Sequence, residues 1–126
     1  MTKSRFAIAA AFSFAAFPLL AQAPAPAVHQ IQLYNYGFTP GPIVLAAGRP
    51  VTLQFVNLAR GGHDFTAPAF FAASKIVSGP VKNGEVDLRG GQSAVVTLVP
   101  AAGTYKVHCG HPFHSMLGMH TDVIVR

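Results

Sequence analysis

Four residues of this chain carry donor atoms suited to a soft metal ion. Cys109 is the single cysteine. Four residues separate it from His114, and four more separate His114 from Met119. A loop of that size can curl until a thiolate, an imidazole and a thioether converge on one point. Upstream, His63 follows the turn-forming pair Gly61-Gly62, where a fourth ligand can enter from a neighbouring strand end. Thiolate and thioether are soft donors, and imidazole suits copper. The set His63, Cys109, His114 and Met119 therefore selects one copper ion working between Cu(I) and Cu(II). A structural zinc would take four strong Cys or His ligands, for which Met is a poor substitute.

Plainer readings of the same residues are available. Taken alone, Cys109 could be an inert buried thiol. A nucleophilic cysteine is disfavoured, because a chain this short leaves little room for a protease-like site and no Asn or Asp is evidently placed to orient a base. Metal ligation accounts best for a lone thiol in a chain that reads as exported, since a bound sulfur is shielded from oxidation. A second register, through His111 and Met116, is conceivable. It leaves one residue between Cys109 and His111, and Met116 lacks the preceding glycine and following strand that Met119 has. His108 alternates away from Cys109 and should point out of the site. His111 and His120 are expected on the surface too.

The elements that must position these donors read as short strands. Ile31 and Leu33 alternate with Gln30 and Gln32 within His29 to Tyr36, before Gly37, Pro40, Gly41 and Pro42 interrupt. Ile43 to Leu45 is a short edge piece. Val51, Leu53 and Phe55 alternate with Thr52 and Gln54 as a core strand. A loop is expected from Asn57 to about Phe70, with one helical turn in 69–76. Glu85 to Leu88 and Ser93 to Val99 are further strands around Gly90-Gly91. Tyr105, Val107 and Cys109 share one strand face, Lys106 and His108 the other, and Asp122 to Val125 is the last strand. Seven to eight strands at this spacing argue for an all-β, Greek-key β-sandwich, with a five-stranded closed barrel as the alternative.

The start of the chain reads as a secretory signal. Lys3 and Arg5 precede an almost wholly apolar stretch over 6–20, followed by small residues through Ala27. That run, about 15 residues, is short for a membrane span of about 20; an uncleaved anchor is the alternative. Cleavage after Ala23 or Ala27 would leave a single domain over 28–126 in the periplasm, with no membrane span after processing. Removing Lys3 and Arg5 leaves seven basic against four acidic residues, a net charge of +3. The bases are scattered, with no cluster and no interleaved aromatics, so nothing resembles a nucleic-acid footprint.

The segment from Thr104 to Val125 resembles the ligand loop of the cupredoxins, the blue-copper family, with Gly118-Met119 matching the glycine that often precedes their methionine. Phe38-Thr39-Pro40, Ile43-Val44-Leu45, Ala47-Gly48, Phe55-Val56-Asn57 and Gly62-His63-Asp64 extend the resemblance over residues 31–125. It implies His63, Cys109 and His114 as equatorial ligands and Met119 as the axial one. It implies that Asn57 pins the two ligand loops together, and Asp64 stands where the family usually has Asn or Asp. It also implies an apolar docking patch around the outermost histidine, formed by Pro112, Phe113, Met116 and Leu117 and extended by Phe70 and Phe71. The expected protein is a monomeric electron carrier rather than an enzyme, exchanging electrons with a redox protein such as a c-type cytochrome or oxidase. The alternative is a periplasmic copper chaperone, buffer or resistance protein that hands the ion to an acceptor. Multicopper oxidases and copper nitrite reductases need further domains and histidine clusters.

Overall fold

The computed structural model describes residues 8–126. Lys3 and Arg5, the positive start expected of a signal, lie outside the described residues. Residues 8–26 carry no regular secondary structure and are exposed. No helix among the described residues is long and apolar enough to cross a membrane.

Ten strands and one short helix follow: β1 Ala27–Tyr34, β2 Gly37–Thr39, β3 Ile43–Leu45, β4 Val51–Asn57, β5 His63–Thr66, α1 Pro68–Ala73, β6 Lys75–Ser78, β7 Glu85–Leu88, β8 Ser93–Val99, β9 Gly103–His108 and β10 His120–Val125. They form two five-stranded sheets in the orders β2-β1-β4-β8-β6 and β3-β10-β9-β5-β7. The sandwich expected from the strand pattern is the architecture observed, and the closed barrel is not. The strand count exceeds seven or eight for a physical reason. β2 is too short to display a period, β5 opens with the polar pair His63-Asp64, and every residue of β6 is exposed.

Alternation positions the core. In β4 Val51, Leu53 and Phe55 are fully buried, as are Val96 and Leu98 of β8 and Ile31 and Leu33 of β1. Across the sandwich they meet Phe65, Val86, Leu88, Val107 and Val123. Phe65 is the hub, with Phe55 at 4.8 Å and Phe38 and Phe71 edge-on at 5.7 and 5.9 Å. Each such pair contributes about 0.5–1.5 kcal/mol beyond its burial. α1 begins on a proline and turns Phe70 and Phe71 into this core. The two phenylalanines are therefore structural and do not extend a surface patch, contrary to the expectation from the resemblance.

Two parallel pairings, β1 with β4 and β3 with β10, tie distant stretches into the same sheets. β9 runs between β10 and β5, and its last residue, His108, pairs with Thr66 at the end of β5, so the chain leaving β9 runs back alongside β5 toward His63. Cys109 and His63 thereby arrive at one end of the sandwich from strands 46 positions apart.

Candidate metal centre

The Sγ of Cys109 and the Nδ1 atoms of His63 and His114 form a small triangle. The sides are 3.1 Å between the two nitrogens, 3.8 Å from sulfur to His63 and 3.5 Å from sulfur to His114. From these sides, the point equidistant from all three atoms lies about 2.0 Å from each, the ordinary reach of a bond from a transition metal to imidazole. Three donors of this type converging on one point fit copper.

Two of the donors, His63 and Cys109, are held from behind. The Nε2 of His63 lies 2.7 Å from the Oδ1 of Asn35. An amide oxygen only accepts, so Nε2 carries the proton and the Nδ1 lone pair faces the triangle. Asn35 sits in the turn between β1 and β2. Burial, ahead of the neighbouring His114 and His111, holds the His63 imidazole below its usual value and keeps it neutral. Burial is also the main cause that pushes the Cys109 thiol up, so ligation must displace its proton. The backbone N–H of Asp64 donates to the sulfur at 3.5 Å.

Cys109 and Met119 are both buried and closely linked. The Cys109 N–H donates to the Met119 carbonyl at 3.1 Å, and the Met119 N–H to the His114 carbonyl at 3.0 Å. These bonds close the 110–118 loop at its neck. Gly118 allows that closure with a φ of +106°, a conformation that a side chain would strain.

His114 differs from His63 in exposure. It is half-buried at the edge of the site, against the ring of Tyr36 at 5.1 Å. Around it Phe113 is 73% and Met116 83% exposed, and Leu117 and Pro112 are exposed as well. These loop residues form an apolar rim rather than packing inward.

Two expectations change. His111 is not a free surface residue: it is half-buried and stacks on His114 at 5.3 Å and 14°. Its Nε2 stands 3.7 Å from the Asp64 carboxylate and 3.8 Å from Asp87. Asp64, Cys109 and His111 form a second close group that shares the sulfur. Asn57 pins differently from the way the resemblance implied. Its amide donates to the carbonyls of Gly61, Leu88 and Arg89 at 2.9–3.1 Å and accepts from Ala59 N–H at 3.0 Å. It thus fastens the segment before His63 to the end of β7. The tie to the cysteine loop comes from Asp64, whose carboxylate accepts from Gly110 N–H at 2.7 Å and from the Thr66 hydroxyl at 2.6 Å. His108 and His120 are exposed as expected. Asn35 escaped sequence reasoning, because a lone asparagine before a tyrosine carries no pattern.

The sequence matches the cupredoxin-like domain over residues 6–125, and the chain belongs to that family. A comparison with curated proteins finds no match. Among solved structures, dithionite-reduced auracyanin from the photosynthetic bacterium Roseiflexus castenholzii is similar with a TM-score of 0.60 at 19% identity, covering 82% of this chain and 99% of that one. Auracyanin A of Chloroflexus aurantiacus, described as a blue copper protein, gives 0.58 at 20% identity over 81% and 100% of the two chains. The McoA multicopper oxidase of Aquifex aeolicus gives 0.64 at 13% identity, covering 84% of this chain but 30% of the oxidase. At these identities the likeness establishes a shared fold.

Proposed function

We propose that this chain is an exported mononuclear type 1 copper protein that carries electrons, with His63, Cys109 and His114 as equatorial ligands and Met119 as axial ligand. The observation that carries the reading is the triangle of one sulfur and two imidazole nitrogens around a point about 2.0 Å from each. Bound copper would supply a one-electron couple between Cu(I) and Cu(II).

The protein's own residues do the rest. Asn35 and the strand ends hold the donors fixed, so the geometry changes little between oxidation states. The Asp64 N–H on the sulfur tunes the potential. The half-buried His114, inside its apolar rim, is the exit for the electron toward a docked redox protein such as a c-type cytochrome. The auracyanin likeness supports this reading, and the chain performs no chemistry on a substrate. The exposed apolar stretch before β1, with Phe12, Phe14 and Leu19 each at least 89% in solvent, supports export to the periplasm and removal of the segment there.

Adding Cu(II) to the purified protein and recording visible and EPR spectra tests the assignment. An intense thiolate-to-copper band is expected, absent in Cys109→Ser and His114→Ala and retained in His111→Ala. A folded protein that stays colourless with cupric ion overturns it.

Met116 and His111 at the mouth of the site favour one other reading, a chaperone or buffer that surrenders copper to an acceptor. Stopped-flow electron exchange with a small c-type cytochrome, set against copper transfer to an apo acceptor, separates the two.

A further inference from the structure

The outer face of the second sheet carries a pair of histidines that the copper site does not use. His108 and His120 stand directly opposite each other on β9 and β10, and both are exposed. They are the sequence neighbours of Cys109 and Met119, and alternation sends them to the other side of the sheet. The Cys109–Met119 rung is hydrogen-bonded through the Cys109 N–H. Hydrogen-bonded and non-hydrogen-bonded rungs alternate along an antiparallel ladder, so His108–His120 is a non-hydrogen-bonded rung, where facing side chains come closest. Their Cβ atoms are then about 4.5–5.5 Å apart, a span from which two imidazoles can close on one ion.

The surroundings suit a cation. A cavity of about 530 Å³ opens here, lined by His108, His120, Ser115 and Asp122 among others. Asp122 lies on the same face of β10 as His120. Its Oδ1 is held by Lys106 at 2.8 Å. All four carboxylates of the chain, Asp64, Glu85, Asp87 and Asp122, belong to this one sheet. The register Asp64–Asp87, Thr66–Glu85 and Thr66–His108 places them on the same outer side.

We propose that His108 and His120 form a second, solvent-facing metal site that chelates one divalent cation of the Cu(II) or Zn(II) class through their two imidazoles, with water completing the coordination. Imidazole is a good ligand for both ions. The site is separate from the buried one, sharing with it two strands and no donor atom.

The test is a calorimetric titration of Zn(II) into the full chain already given one equivalent of copper. One further equivalent should bind. His108→Ala and His120→Ala should each weaken it about tenfold or more, since even outer partners of a ligand are worth that much. His29→Ala, on the other sheet, should leave it unchanged. Thermal melts of the variants check that they fold, which the exposure of both positions favours. The proposal is overturned if no second equivalent binds, or if it binds His108→Ala and His120→Ala as tightly as the parent. A protein that stays colourless with copper but, titrated copper-free, still binds a His108-dependent zinc equivalent refutes the buried-site reading and leaves this one standing.

Discussion

His63 is held on both ring nitrogens, by Asn35 on one side and by the converging donors on the other. That confinement has a pH signature in the copper-free protein. In the unfolded chain the imidazole titrates near 6.5, and burial sets it lower in the fold. Between the two values the unfolded state binds more protons, so acidification favours unfolding. This contribution to stability is complete above 6.5 and is lost as the pH falls through the folded value. Thermal melts on the metal-free protein should show a midpoint that declines below pH 6.5, and His63→Gln should flatten the decline. The donor residues themselves were legible, because donor type and spacing in 109–119 are local. Asn35 and Asp64 were not legible as partners, because what they touch is set by the folding of strands distant in sequence.

Among the elements, β4 carries a conflict of patterns. Its alternation delivers Val51, Leu53 and Phe55 to the core, and the same period delivers Asn57, a polar side chain only 1% exposed. The conflict is resolved by four hydrogen bonds to the 59–61 segment and the end of β7. Asn57→Ala would leave several buried carbonyls and an N–H unpaired, at about 1–3 kcal/mol each before relaxation. A net loss of about 2–3 kcal/mol is expected by urea unfolding, with a broadened copper band as the loop before His63 loosens. Gly90 meets the same segment so closely that a Cβ there would collide with the Arg60 carbonyl. The strands with clear alternation, β1, β4, β8, β9 and β10, were legible from sequence. β5 was hidden inside an expected loop, because its inward residues are His63 and Phe65 and its outward ones Asp64 and Thr66, too short a run to display a period.

At the scale of the whole molecule, the sandwich is closed by pairings between residues far apart in sequence. β1 lies parallel to β4 along seven rungs from Ala27–Val51 to Leu33–Asn57. Nothing local encodes such a partnership, which is why strands could be read and their neighbours could not. It also defines how much of the N-terminus the fold requires. A chain beginning at residue 24 keeps every rung, and one beginning at 28 loses the first alone. Their melting midpoints should correspond to stabilities within about 1 kcal/mol of each other, the worth of one hydrogen-bonded rung. A chain beginning at 32 lacks fully buried Ile31 and five of the seven rungs, and circular dichroism should find it unfolded.

The contact between Asn35 and His63 joins a hairpin of the first sheet to a strand of the second. The proposed copper site therefore lies on a seam between the two halves of the sandwich. Any breathing that parts the sheets at this end frees the imidazole to turn, so the blue colour should act as an internal gauge of sheet separation and fade before the backbone melts.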